Sequence, residues 1–170
     1  KALRYVIENP GSLGIITAPS FPMLRDSTLR VLNEVWPREI YKFVPSEMKL
    51  VVTNGSDVIM RSTDEPDLLR GPNAPWGWMD APAQTKKVTA FNILQARVRD
   101  PRFPNQIWLT STPKGYNWYW EEFVKKGPRP DYSLHHWTLK QNTFLKPEYE
   151  ARLRDSYTKE FALQELDGEF

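Results

Sequence analysis

The sequence predicts an α/β fold with a mostly parallel central sheet and a β-hairpin added to it. Short apolar runs without alternation, at residues 13–17, 76–79 and 106–110, are what strands buried on both faces require. Segments with helical spacing of apolar residues separate them, and that succession marks parallel strands joined by crossover helices. Asn54-Gly55, between residues 49–53 and 57–62, is a strong short hairpin signal and supplies the antiparallel part.

Residues 1–8 read as the tail of a helix with Leu3, Val6 and Ile7 on one stripe, stopped by Asn9-Pro10-Gly11. With no cap or lead-in, that helix is expected to start upstream of Lys1. After the strand at 13–17, residues 22–35 form a helix with Met23, Leu24, Ser27, Leu29, Val31, Leu32 and Val35 as its apolar stripe, ended by Trp36-Pro37. The hairpin and the strand at 76–79 come next. A helix over 88–98 carries Val88, Phe91, Leu94, Gln95 and Val98 on one side. The strand at 106–110 leads to a helix over 116–126, a strand over 133–139, and helices over 147–156 and 159–166. The loop at 127–130 is too short to separate domains, and 170 residues suit one compact domain.

Composition excludes several classes. No cysteine is present, so disulfides and thiolate metal sites are ruled out, and no apolar run is long enough to span a bilayer, so no membrane contact is expected. Lys plus Arg total 23 against 21 for Asp plus Glu, so bulk charge does not announce nucleic acid. His135-His136 lacks a third ligand at metal spacing and reads as structural.

Ligands of open α/β sheets sit at the carboxyl ends of the strands. That directs attention to Ala18-Pro19-Ser20, Asp80-Ala81 and Ser111-Thr112-Pro113-Lys114-Gly115. An acid ending a buried strand suits a magnesium–nucleotide site, where it holds a cation-bound water. A lone Asp there is more often a turn or cap residue, and Pro82 fits that plainer role. Arg70 read alone would pair with Asp67 or Glu65 on a solvated loop, and residues 110–112 would simply end a strand.

Four stretches in order change that balance. Residues 15–24 (Ile-Ile-Thr-Ala-Pro-Ser-Phe-Pro-Met-Leu), 68–73 (Leu-Leu-Arg-Gly-Pro-Asn), 76–80 (Trp-Gly-Trp-Met-Asp) and 108–115 (Trp-Leu-Thr-Ser-Thr-Pro-Lys-Gly) resemble the large subunit of tailed-phage terminases, over nearly the whole chain and most closely those of thermophilic phages. The resemblance implies a P-loop NTPase of the ASCE type, a three-layer sandwich using ATP and Mg2+. It also implies a homo-oligomeric ring that drives double-stranded DNA through a portal protein into a procapsid, with a small terminase subunit as partner, in the host cytoplasm. Position by position, Asp80 is similar to the Walker B aspartate and metal-holding acid, Arg70 to an arginine reaching a neighbouring subunit's nucleotide, and Thr110, Ser111 and Thr112 to the coupling motif that senses the γ-phosphate.

Two departures from the family pattern shape the expectation. No Gly-x-x-x-x-Gly-Lys-Ser/Thr occurs in residues 1–170, so the phosphate cradle is expected upstream of Lys1. Ala81 stands where the family has the glutamate that activates water. Residues 1–170 are therefore expected to be an ATPase-domain fragment without its Walker A segment or nuclease domain, and hydrolytically inactive. The rival readings are a single-stranded nucleic-acid binder and a non-catalytic capsid-docking module. The first would use Trp118, Tyr119 and Trp120 with Lys114, Lys125, Lys126, Arg97, Arg99 and Arg102.

Overall fold

The structure is a computed structural model and describes residues 1–170. The chain forms two compact units, Lys1–Thr110 and Ser111–Phe170. The division falls at the end of a strand, away from the Gly127-Pro128 loop.

The first unit is a six-stranded sheet. Its strands are β1 (Leu13–Ala18), β2 (Tyr41–Val44), β3 (Lys49–Val52), β4 (Asp57–Ser62), β5 (Trp76–Asp80) and β6 (Gln106–Thr110), ordered β2-β3-β4-β1-β5-β6. β4, β1, β5 and β6 run parallel, while β2 and β3 are antiparallel additions. The β3–β4 hairpin turns at Gly55, whose φ of +85° is open to glycine at little cost. Asn54 Nδ2 at that turn donates to the Val6 carbonyl at 2.8 Å, tying the hairpin to the first helix.

Helices cover both faces. On one, α1 (Ala2–Glu8) and α3 (Leu29–Val35) bury Ala2, Tyr5, Val6, Leu29 and Leu32 against Ile16, Val58, Met60 and Trp76. Trp76 lies so flat over β1 that a Cβ on Gly14 would sit 2.0 Å from its ring. On the other, α4 (Thr89–Arg97) brings Leu94 to where a Cβ on Gly77 would be 2.8 Å away. The result is a three-layer arrangement.

Several expected faces shift. α1 buries Tyr5 and Val6 but leaves Ile7 57% exposed, so its stripe lies one residue off the expected one. Gln95 of α4 is exposed, and Ala90 and Ile93 take the core positions. The helix expected over 22–35 is α2 (Phe21–Met23), a π turn at Leu24–Thr28, then α3. The extra residue of the π turn rotates the helix after it, so Leu32 and Trp36 are buried while Val31 and Val35 are exposed.

The second unit is helical. It holds α5 (Trp118–Trp120) continued by a π turn at Glu121–Lys125, then α6 (Pro147–Ser156) and α7 (Lys159–Glu165). Asn117 caps α5, accepting from the backbone N–H groups of Tyr119 and Trp120. Tyr119 is its most buried aromatic and lies 5.1 Å from Phe123 and 6.2 Å from Phe170, ring centre to centre. Arg154 joins α6 to the chain after α7, donating to both Asp167 oxygens and to Glu150. The strand expected over residues 133–139 does not form. Residues 133–137 are exposed, and the Leu139 N–H donates at 2.7 Å to the Leu166 carbonyl at the end of α7 rather than to a strand. His136 Nε2 meets the Asp167 carbonyl at 2.7 Å, a structural contact.

Candidate functional site

The four parallel strands end on one side of the sheet, at Ala18, Ser62, Asp80 and Thr110. Asp80 and Thr110 are direct partners across β5 and β6, and the alternation of side chains puts them on the face that carries Trp78 and Trp108. α3 and its preceding π turn pack on that same face.

Three hydrogen bonds fix the acid. Thr28, on the π turn, donates its hydroxyl to Asp80 Oδ2 at 2.6 Å. Thr110 Oγ1 donates to Asp80 Oδ1 at 3.2 Å. Trp78 Nε1 donates to Thr110 Oγ1 at 2.9 Å. An indole N–H can only donate, so it occupies a lone pair of the Thr110 oxygen and leaves that hydroxyl's proton for Asp80. The carboxylate is thus gripped at both oxygens, and each oxygen keeps a further lone pair.

The residue after it is strained. Ala81 has φ 51° and ψ 44°, a left-handed conformation that an L residue with a Cβ adopts at a cost. Its N–H donates at 2.7 Å to the Thr110 carbonyl, a further tie between the ends of β5 and β6. Ala81 is also the N-cap position of the short 3-10 turn Pro82–Gln84, where its methyl side chain supplies no cap.

The structure brings Asp80, Ala81 and Thr110 together. Ser111 and Thr112 open the second unit, where the Ser111 hydroxyl donates to the Thr112 carbonyl at 2.9 Å. Arg70 ends the 3-10 turn Pro66–Leu69, and its Nε donates at 2.6 Å to Asp67 Oδ1, the pairing read from the sequence alone. Its carbonyl accepts from Arg97 at the carboxyl end of α4, and nearby Asn73 accepts from Arg99. The Arg70 loop is thus tied to the carboxyl end of α4 through the Arg70 carbonyl and Asn73, while the Arg70 guanidinium pairs with Asp67. Sequence reasoning missed Thr28 and Trp78: a threonine within a helix and a tryptophan within a strand look like packing.

A divalent cation fits the chemistry of Asp80. Its surroundings are hard oxygen donors, and nowhere does the chain gather three His, Cys, Asp or Glu side chains into a metal cage. Mg2+ is characteristically held by one or two carboxylates together with substrate phosphates, not by an all-protein cage. Several cations of the nucleic-acid alternative sit in local ion pairs, as Arg70 does. Lys125 and Lys126 pair with Glu121 and Glu122, and Arg102 pairs with Asp100. Tyr119 is buried, and the Tyr116 and Trp120 rings pack edge to face at 4.8 Å.

A mostly parallel sheet with helices on both faces, and an oriented acid at the carboxyl end of an inner strand, define a three-layer α/β fold with a candidate site at its strand ends. A sequence profile described as phage terminase large subunit matches residues 25–164, and the chain belongs to that family. Solved relatives agree in fold. The large terminase ATPase domain of Thermus phage P74-26 superposes with TM-score 0.70 at 22% identity, covering 99% of this chain and 80% of that one. A large terminase from a thermophilic bacteriophage gives TM-score 0.81 at 18% identity, covering 98% of this chain and 44% of that one. The HK97 bacteriophage large terminase gives TM-score 0.62 at 15% identity over 93% of this chain and 39% of that one. The chain thus spans less than half of these two longer terminases. No curated protein sequence matches it. No helix is long and apolar enough to cross a membrane.

Proposed function

We propose that residues 1–170 are part of the ATPase domain of a DNA-packaging motor, with Asp80 as the acid that holds the magnesium ion of ATP. The observation that carries this reading is the Asp80 carboxylate at the end of an inner parallel strand, gripped at both oxygens by Thr28 and Thr110. Large terminases of the thermophilic phage have been solved with ADP and with ATP-γ-S, which supports nucleotide as the ligand class. A bound magnesium ion would neutralise charge on the phosphates. The chain's own residues orient the acid, and Thr110, Ser111 and Thr112 supply hydroxyls able to bond a phosphate or water and release it. Thr110 couples that event to Asp80 directly.

Arg70 serves a neighbouring copy in this reading. Its contacts are with Asp67 and the end of α4, and its side chain is largely exposed. An arginine reaching another subunit's phosphates acts on the transition state and contributes about 10³-fold or more. The remaining partners proposed are double-stranded DNA, a ring of copies, a portal protein and a small terminase subunit, at the procapsid in the host cytoplasm. The phosphate-cradling loop is proposed to lie outside these residues. Ala81 in place of a water-activating glutamate would leave hydrolysis very slow.

The test has two arms. Calorimetric titration of the 170-residue chain with magnesium and ATP should show no sub-micromolar site, and a tight one would overturn the placement of the cradle. In the terminase that carries this segment, Ala81→Glu should raise single-turnover hydrolysis by roughly 10²–10⁴-fold. Equal turnover before and after would remove position 81 from water activation.

A further inference from the structure

We infer that Thr28 is a positioning residue for Asp80, and that the π turn Leu24–Thr28 exists to deliver its hydroxyl there. The inference rests on the reading of Asp80 as the cation-holding acid and names a residue that acts through it.

The closing hydrogen bond of the π turn runs from the Leu29 N–H to the Leu24 carbonyl, five residues back instead of four. Such turns are rare and occur frequently at functional sites. Nothing in the sequence demands one here, since residues 24–28 include neither proline nor glycine. The turn therefore has to be sustained by tertiary contacts. Thr28 is 2% exposed, and a helical threonine usually satisfies its hydroxyl on the carbonyl one turn back. Here that carbonyl, on Leu24, accepts the Leu29 N–H, and the Thr28 hydroxyl reaches across to the sheet.

The contact itself is a strong one. At 2.6 Å, the bond from Thr28 to Asp80 lies in the range of hydroxyl–carboxylate pairs, and it is shorter than the 3.2 Å bond from Thr110. With Thr110 alone, the carboxylate could swing about one point. With Thr28 on the second oxygen, both carboxylate torsions are fixed, and so are the directions of the lone pairs left for a cation. Outer groups of this kind set the orientation and affinity of the residues they hold. The geometry also joins α3 to the acid: a shift of the π turn would release one Asp80 oxygen while Thr110 kept the other.

Nuclear magnetic resonance on the 170-residue chain tests this, with Mn2+ as the probe. In the unsubstituted chain the Thr28 hydroxyl proton should resist solvent exchange, and Asp80 side-chain couplings should report a single rotamer. Substoichiometric Mn2+ should broaden the amide signals of Ala81 and Thr110 first. Thr28→Val keeps the shape but removes the donor, so Asp80 should average over rotamers and the Mn2+ needed for half-broadening should rise roughly 10-fold. Thr28→Ser should restore both. An Asp80 rotamer unaffected by Thr28→Val would overturn the inference, as would a Thr28 hydroxyl proton in fast exchange, a measurement that needs no variant. Rotamer averaging in Thr28→Val without any local Mn2+ broadening in the unsubstituted chain would leave the positioning contact standing and overturn the cation role of Asp80.

Discussion

The two units of this chain are held together by different physics. Lys1–Thr110 closes a sheet whose strands are brought together from distant parts of the sequence, and it buries Val6, Ile15, Ile16, Leu24, Leu50, Val58 and Trp76 almost completely. Ser111–Phe170 has few buried apolar residues, chiefly Tyr119, Ala162 and Leu166, and leaves Trp137 71% and Phe144 97% exposed. Its cohesion comes from ring contacts and from polar ties such as Arg154 to Asp167. Burial is worth roughly 25 cal/mol per Å² of apolar surface, whereas exposed ion pairs contribute little. The first unit is therefore a rigid platform for Asp80, and the second should open at lower free energy, as segments that move in function commonly do.

The same change made in each unit separates the two regimes most sharply. Gly14→Ala puts a methyl group where the Trp76 ring already lies, 2.0 Å from its nearest atom. Trp76 is fully buried and has no room to retreat. The cost should be about 3 kcal/mol or more, at the upper end of overpacking, and it should appear as cooperative loss of the first unit's sheet in urea. In the second unit, Gly168 has φ +70°, and an added Cβ would fall 2.7 Å from His136 Nε2. Gly168→Ala should cost about 1–2 kcal/mol, and hydrogen exchange should quicken around α6 and α7 while β1 and β5 keep their protection. Parallel loss of protection in both units from either variant would mean that they unfold as one and would break the contrast.

Acid should act on the second unit through named groups. The Asp167 carboxyl is held below its usual range by hydrogen bonds from Arg154 and then by its charge. Glu122 is held low likewise, first by Lys126 and also by Arg129. A carboxyl whose folded pKa is depressed contributes stability in full above its unfolded value. That contribution is lost as pH falls from about 4 through the lower folded value. Amide protection in α6 and α7 should therefore fall below about pH 4. Arg154→Gln should lower protection at neutral pH and flatten this dependence. An unchanged pH profile in that variant would show that other carboxyls carry the acid sensitivity.

Legibility in the sequence divides along the same line. β1, β5 and β6 show plainly because inner parallel strands need continuous apolar runs, and Asp80 stands out as the residue that follows one, while Thr110 is singled out only by the resemblance to terminases. β2 escapes notice because a short edge strand with exposed Lys42 leaves no pattern. The stripe over 22–35 is misplaced after residue 28 because a π turn adds a residue that no periodicity announces. Residues 133–139 carry Leu134, Trp137 and Leu139 in a short segment that reads as a strand, but they join no sheet. Thr28 is invisible in sequence for a simpler reason: its role depends on a tertiary neighbour 52 positions away. Arg70 shows the reverse, since its local pair with Asp67 is legible and any wider role is not.

The smallest effect expected is at Ala81, and it bears on whether the platform carries strain where it meets the site. A left-handed residue with a Cβ costs roughly 1–2 kcal/mol relative to a relaxed one. Glycine removes that cost but enlarges the unfolded ensemble, returning roughly 0.5–1 kcal/mol. Ala81→Gly should therefore stabilise the first unit by about 0.5–1 kcal/mol, seen as a higher urea midpoint with an unchanged slope. The 2.7 Å bond from its N–H to the Thr110 carbonyl should persist, because it involves backbone alone. If the variant is instead less stable, the ends of β5 and β6 favour this conformation strongly enough that the methyl group's packing matters more than its strain. Ala81→Glu would then carry the same backbone cost as alanine, so any gain in hydrolysis from that change could be assigned to the new carboxylate and not to a relaxed turn.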